Sequence, residues 1–232
     1  MNLTRQKHKS KLHSFAPAHL VNSNEPAEWL QSLQPHASSI LCPFSDSTID
    51  PRAKRQREFQ AGRDLAAELL SLQGEQSVVG INQDRSPRWP DGFVGSISHS
   101  DHWVWVAVAH DTAIRSIGID TETVANPDTC QQIRFDIATA AEWQITEALD
   151  LTPEQTFSVV FSAKEAFYKC WYPVTQTWFG FEHATVESVT PDRIQIRNKE
   201  SNPNTGIRPK TLEVFFMIKE NEVFTATWME NE

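Results

Sequence analysis

No stretch of eighteen consecutive apolar residues occurs in the chain, so no transmembrane helix is expected. Cysteine is scarce. Cys42, Cys130 and Cys170 are odd in number and widely spaced, which excludes a disulfide framework and a cysteine-rich zinc site and fits reduced thiols in the cytoplasm. The basic N-terminus (Arg5, Lys7, Lys9, Lys11) leads into no apolar stretch, so no secretory signal is expected either. Positive charge is in the minority, 21 Lys and Arg against 30 Asp and Glu. The resulting net charge of −9 argues against non-specific nucleic-acid binding as the main task. Repeats and low-complexity tracts are also missing, which removes solenoids from consideration.

What is present is a chain of 232 residues, 39% hydrophobic and 22% charged, enough to build a real core in one large domain or two small ones. Charge is unevenly spread. Between Arg52 and Arg88 stand seven basic residues (Arg52, Lys54, Arg55, Arg57, Arg63, Arg85, Arg88) and five acids. A local basic patch on an acidic protein suits a small anionic ligand; a solvated helix face is the plainer explanation.

Residues 1–50 carry four prolines among many polar residues and read as loop, with one short element near Trp29–Leu33. From Lys54 to Gln73, Phe59, Ala66, Leu69 and Leu70 follow a helical period that Gly74 is placed to stop. Gly62 inside that helix costs about 1 kcal/mol relative to alanine and points to a close approach by another backbone. Strands are expected at Val78–Ile81 and Trp103–Ala109. The turn-rich passage between them ends in Ser96-Ile97-Ser98-His99, whose hydroxyls, imidazole and backbone amides can meet a phosphate.

Ile114 to Thr121 reads as a central strand running into acids. Residues two apart in a strand share a face, so Asp120 and Glu122 aim their carboxylates the same way if the strand extends that far. Two convergent carboxylates need a proton or cation between them, and oxygen-only ligation with room for phosphate and water suits Mg²⁺. Ala140–Leu149 reads as a short helix. A second opens at Pro153, ends at Pro173, and buries Phe157, Val160, Phe161, Phe167 and Trp171. Within it Glu165 and Lys169 stand four apart, an ion pair worth only about 0.2–0.5 kcal/mol if they serve each other alone. Beyond residue 174, Trp178–Val189, Arg193–Arg197, Thr211–Lys219 and Val223–Trp228 alternate as antiparallel hairpins, with a loop at 202–206. The class is α+β.

Four blocks then stand in order: Lys54-Arg55 with Glu58-Phe59 and Ala61-Gly62-Arg63; Arg85-Ser86-Pro87-Arg88-Trp89-Pro90-Asp91-Gly92 running into Gly95–His99; Gly118-Ile119-Asp120-Thr121-Glu122; and Phe161-Ser162-Ala163-Lys164-Glu165-Ala166-Phe167-Tyr168-Lys169. Together they resemble the 4′-phosphopantetheinyl transferases, in particular the monomeric type related to enterobactin synthase component D. Thr121 departs from the pattern, since the family more often has an aliphatic residue there.

The resemblance implies a pseudo-twofold arrangement of two similar α/β halves, here residues 1–117 and 118–232, with coenzyme A bound between them. The implied reaction is Mg²⁺-dependent transfer of the phosphopantetheine arm to a serine of an apo carrier protein (acyl, peptidyl or aryl), with release of 3′,5′-ADP. By the same resemblance Asp120, Glu122 and Glu165 hold the metal, and Lys169 neutralises the transferring phosphate. Lys164 assists Lys169 or orients Glu165. Arg55, Arg63, Arg85, Ser98 and His99 hold the 3′-phosphate and pyrophosphate, with Arg88 as the alternative to Arg85. For the base that takes the serine proton, the best-placed match is Glu142, then Glu147 or a metal-bound water. Trp143 and Ile145 are apolar candidates for carrier docking, and the Lys7–Lys11 run for offsetting repulsion between two acidic partners. A cytoplasmic monomer serving siderophore (enterobactin-like) nonribosomal peptide synthesis is the implied setting. The alternatives are activation of fatty-acid or polyketide carriers, a non-catalytic coenzyme A or nucleotide-binding protein of the same fold, and a nucleotide hydrolase using the same acids.

Overall fold

A computed structural model describes residues 25–44, 50–199 and 210–231. The basic run at Lys7–Lys11 and the loop at 202–206 lie outside the described residues. In chain order the elements are α1 (Glu25–Leu33), β1 (Ala37–Pro43), α2 (Pro51–Leu72), β2 (Gly80–Ile81), β3 (Pro87–Arg88), β4 (Phe93–His99), β5 (Trp103–His110) and β6 (Ile114–Thr123). They continue with α3 (Pro127–Ile137), α4 (Ala140–Thr146), α5 (Pro153–Thr175), a 3₁₀ turn (Phe181–His183), β7 (Ala184–Thr190), β8 (Arg193–Asn198), β9 (Thr211–Lys219) and β10 (Glu222–Glu230). The fold is α+β.

Each half sets one long helix on one antiparallel sheet. In the first, β1, β5 and β4 lie in that order, and Leu65, Ala66, Leu69 and Leu70 of α2 pack with Val104, Val106 and Val108 of β5. In the second, the order is β6-β10-β9-β8-β7, and Val160, Ala163, Phe167 and Cys170 of α5 share a core with Val186, Ile194, Ile196 and Val214. A third cluster joins Leu30 of α1 and Trp105 of β5 to Ile117, Ile119 and Phe224 of the second sheet. The 117/118 division falls inside β6, which belongs to the second sheet.

The halves meet where β4 lies beside β6. Side-chain hydroxyls hold this seam: the Ile119 amide donates to Ser96 Oγ (3.1 Å) and the Thr121 amide to Ser98 Oγ (3.2 Å). Ser98 therefore sits at the junction of the halves, next to the acids of β6.

Three expectations are corrected. Pro173 does not end α5, which continues to Thr175 and stops where Gln176 turns left-handed at φ 51°. A proline so close to a helix end removes one hydrogen bond in a turn that frays anyway. The strand expected from Trp178 begins at Ala184, after the 3₁₀ turn. Gly62 does make room for a neighbour, but that neighbour is a side chain: a Cβ there would stand 2.7 Å from Ile97 Cγ2. Helix α3 was not legible as such, although Asn126 caps it by accepting from the Thr129 amide and Pro127 opens its first turn.

Candidate active site

Strand β6 extends to Thr123, so Asp120 and Glu122 fall on one face of the sheet. That face looks at α5. Gly118, two residues before Asp120, lets the helix lie directly on the strand, for a Cβ there would stand only 2.0 Å from the Ala166 carbonyl oxygen and 2.6 Å from the Cys170 amide nitrogen. Two buried hydroxyls fix the helix further. Ser116 Oγ donates to the Cys170 carbonyl (2.6 Å), and Thr225 Oγ1 donates to the Ser162 carbonyl (3.0 Å). Glu165 and Lys169 are thereby aimed at the acids of β6.

Lys169 does not pair with Glu165 as a helix neighbour. Its ammonium donates to Asp120 Oδ1 (2.6 Å) and to Ser98 Oγ (3.0 Å). Ser98 Oγ in turn donates to Asp120 Oδ1 (2.8 Å). With the Thr121 amide also donating to it, this hydroxyl has no capacity left for a phosphate. In this structure it orients Asp120 and Lys169.

Asp120 is 2% exposed, and its Oδ2 is buried with no hydrogen-bond partner among the described residues. Burial and then the Asp120 carboxylate push Glu122 up to about 8. Burial also raises Glu165, with Asp120 adding to it and Lys169 opposing. For Lys169 burial works downward, but Asp120, Glu165 and Glu122 outweigh it and its pKa is raised. Three carboxyls thus face one ammonium, and the excess negative charge calls for protons or a further cation.

Among the described residues no three His, Cys, Asp or Glu side chains already form a cage for a metal ion. The donor chemistry nevertheless fits a hard divalent cation: three mutually repelling carboxyls, one carrying an unpartnered buried oxygen.

Glu142 and Lys164 turn away from this cluster. The Lys164 side chain is 1% exposed and donates to Glu142 Oε1 (2.8 Å), the Ile137 carbonyl (2.7 Å) and the Phe181 carbonyl (3.2 Å). Glu142 Oε1 also accepts from the Val186 amide (3.0 Å). Its Oε2 accepts from the amide and hydroxyl of Thr139, closing a capping box at the start of α4. Burial alone would raise the Glu142 carboxyl, but these donors outweigh it and hold it below the usual range. A carboxylate with both oxygens occupied and its affinity for protons reduced is poorly suited to take a proton from serine. The expectation of Glu142 as base and Lys164 as phosphate contact does not fit this placement. The pair ties α4, α5, the 3₁₀ turn and β7 together.

The basic candidates come from α2, the β2–β3 hairpin and the end of β4. Arg55 is exposed on α2. Arg63 donates to the Val79 and Gly80 carbonyls and stacks over Phe59, so part of its guanidinium anchors the β2–β3 hairpin. Arg85 sits at the hairpin tip with φ 72°, and Arg88 packs its guanidinium against Gly80. His99 Nδ1 lies 3.8 Å from Glu58 Oε2, and burial lowers its pKa. Trp143 packs on Phe157 in the core, which leaves it little surface for docking.

Two cavities flank the cluster. One of about 400 Å³ lies between the β2–β3 hairpin, β4 and the end of α5, and Arg88, Trp89, Ser96, Tyr168, Lys169 and Tyr172 line it. The other, about 260 Å³, is lined by Lys164, Glu165, Tyr168, Trp178, Phe179 and Phe181. Tyr168 borders both. Tyr172, Trp178 and Phe179 had no distinguishing signal in the sequence beyond being aromatic.

Comparison with known proteins bears on the same blocks. The family model for the 4′-phosphopantetheinyl transferase N-terminal domain matches residues 50–109, and that for the 4′-phosphopantetheinyl transferase superfamily matches residues 116–216. The interval between the two matches, 110–115, contains the turn from β5 into β6. The 4′-phosphopantetheinyl transferase Npt of Nocardia iowensis is 35% identical over 168 residues, 72% of each chain. Enterobactin synthase component D of Salmonella typhimurium is 31% identical over 186 residues, 80% of this chain and 77% of its own. The 4′-phosphopantetheinyl transferase PptT of Mycobacterium tuberculosis is 31% identical over 146 residues, 58% of this chain and 59% of its own. The chain is therefore a member of the 4′-phosphopantetheinyl transferase superfamily, a family of transferase enzymes.

Proposed function

We propose that the protein transfers the phosphopantetheine arm of coenzyme A to a serine hydroxyl of an apo carrier protein and releases 3′,5′-ADP. The observation that carries this reading is the cluster of Asp120, Glu122, Glu165 and Lys169 between two cavities that share Tyr168. The larger cavity has arginine and aromatic rings for a nucleotide, and the smaller has an apolar lining suited to the pantetheine arm. The diphosphate between those two parts of coenzyme A then lies over the cluster.

In the reaction the serine oxygen attacks the phosphorus that carries the pantetheine arm. The bond from that phosphorus to the bridging pyrophosphate oxygen breaks, and 3′,5′-ADP leaves with the electron pair. Lys169 is suited to neutralise the phosphate undergoing attack, held ready by Asp120 and Ser98. Glu165, with its pKa raised, is suited to accept the serine proton. Asp120, Glu122 and Glu165 would hold Mg²⁺, which when bound supplies positive charge for the leaving phosphate. With Glu165 holding the ion, a solvent molecule would take the proton; Glu147 lines a separate cavity with Arg134 and Trp143.

Arg55, Arg85, Arg88 and His99 are the side chains we assign to the 3′-phosphate and pyrophosphate, Arg63 contributing through the hairpin it anchors. We assign the carrier to nonribosomal siderophore synthesis, supported by the relatives named enterobactin synthase component D; a cytoplasmic monomer is the setting we propose with it. The test is to incubate the protein with coenzyme A, Mg²⁺ and a panel of apo aryl, peptidyl and acyl carriers, and to weigh each carrier. A gain of the phosphopantetheine mass on the aryl and peptidyl carriers is expected. Asp120→Ala and Glu165→Ala should abolish it while circular dichroism stays unchanged. Near-normal transfer by either variant refutes the site assignment.

A further inference from the structure

The larger cavity has walls from both halves, and one contact ties the walls together. On one side stands the β2–β3 hairpin, which contributes Asn82, Ser86, Pro87 and Arg88. On the other stands the last part of α5, which contributes Tyr168, Lys169, Tyr172 and Pro173. The Tyr172 hydroxyl donates to Asp84 Oδ2, joining the hairpin tip to the helix.

Both partners are prepared for this contact. Asp84 Oδ1 is held by the Ser86 amide (2.9 Å) and the Ser86 hydroxyl (2.7 Å), which fixes the carboxylate and leaves Oδ2 facing outward from the loop. Asn82 closes the same loop, its amide donating to the Ser86 carbonyl (3.0 Å) and its side chain to Ser86 Oγ (3.0 Å). Tyr172 stacks on Tyr168, ring centroids 5.4 Å apart, so its hydroxyl is positioned by a ring that itself lines the cavity. The root of the hairpin is pinned separately by Arg63 through the Val79 and Gly80 carbonyls. Strands β2 and β3 have only two residues each, so little ladder restrains the tip.

We infer that Asp84 and Tyr172 form a latch across the nucleotide cleft, and that its opening limits how fast an adenine nucleotide leaves. This rests on the reading of that cavity as the nucleotide site. Asp84 and Tyr172 are positioning residues, since neither stands at the reacting atoms. The hairpin carries Arg85 and Arg88, so the latch also decides when those cations face the cleft. Joined by one hydrogen bond between half-exposed and exposed groups, the latch opens readily on its own. A bound nucleotide adds contacts to both walls and shifts the balance to the closed form.

The test uses Tyr172→Phe, which removes the hydroxyl and keeps the ring on Tyr168. Release of 3′,5′-ADP is followed by stopped-flow tryptophan fluorescence, Trp89 lining the cleft. Loss of one hydrogen bond should speed release roughly three- to tenfold. Asp84→Ala should do the same, and the double variant should release no faster than the faster single variant, because both remove one contact. Release by Tyr172→Phe at the wild-type rate overturns the latch. If the wild-type protein binds neither 3′,5′-ADP nor coenzyme A, the assignment of the cavity fails. The latch is then judged by hydrogen exchange of the 82–88 amides in the free protein: faster exchange in Tyr172→Phe supports it, and unchanged exchange overturns it.

Discussion

Gly118→Ala is the perturbation that most sharply separates the geometry of the site from its chemistry. Gly118 is not charged and touches no substrate, yet it sets how closely α5 lies on β6. An added Cβ would stand 2.0 Å from the Ala166 carbonyl oxygen, where ordinary contact begins at 3.4 Å, and it would also press on the Cys170 amide and Cβ at 2.6 and 2.9 Å. The obstacles are helix backbone, which cannot rotate aside. The helix must retreat by about 1.4 Å, carrying Glu165 and Lys169 from Asp120 and Glu122. A misplacement of about 1 Å in reacting groups can lower rates about 10²-fold. Overpacking a buried site costs roughly 1–3 kcal/mol, and each kcal/mol lowers Tm by about 2–4 °C in a chain of this size. Transfer measured by carrier mass should therefore fall about 10²-fold in kcat/KM, at a temperature where circular dichroism shows the variant still folded. A Gly118→Ala enzyme with wild-type turnover and unchanged Tm would refute the close approach of α5 as the source of site geometry.

The Glu142–Lys164 pair gives a second test. Lys164→Met leaves a carboxylate buried without its cation and should cost about 3–5 kcal/mol in urea unfolding. Adding Glu142→Leu should recover part of it; a Glu142→Gln protein of full stability with a 10²-fold loss of rate would instead restore Glu142 as the base. Glu122 gives a pH test. Its folded pKa, about 8, lies above the ordinary 4.5, so between those values the folded protein holds a proton that the unfolded chain has released. With divalent ions removed by chelation, stability should fall as pH rises from about 5 to 8, and Glu122→Gln should flatten that slope. A wild-type slope of the opposite sign contradicts the crowding of carboxyls.

Local patterns were legible in the sequence, and pairings across the fold were not. That Asp120 and Glu122 share a face follows from the alternation of a strand, and the amphipathic face of α5 from its period. The partner of Lys164 lies 22 residues away in α4, and nothing local distinguishes its ammonium from that of Lys169 five residues on. One is buried among carbonyls behind the helix; the other reaches across to β6. Ser98 lies against Asp120 and Lys169. Its bonds to Asp120, Lys169 and Thr121 depend on β4 lying beside β6, which sequence spacing does not specify. The Asp84–Tyr172 hydrogen bond was not legible for the same reason, since the two residues are 88 apart.

In the proposed reaction, cleavage of coenzyme A is coupled to attack by a carrier serine. The most direct measurement is 3′,5′-ADP released by the wild-type enzyme with Mg²⁺ and coenzyme A, in the presence and absence of an apo carrier whose mass is followed in parallel. One 3′,5′-ADP is expected for each phosphopantetheine gained by the carrier, and none without carrier. Steady release without carrier, or tight coenzyme A binding with neither product nor mass gain across the carrier panel, would contradict it.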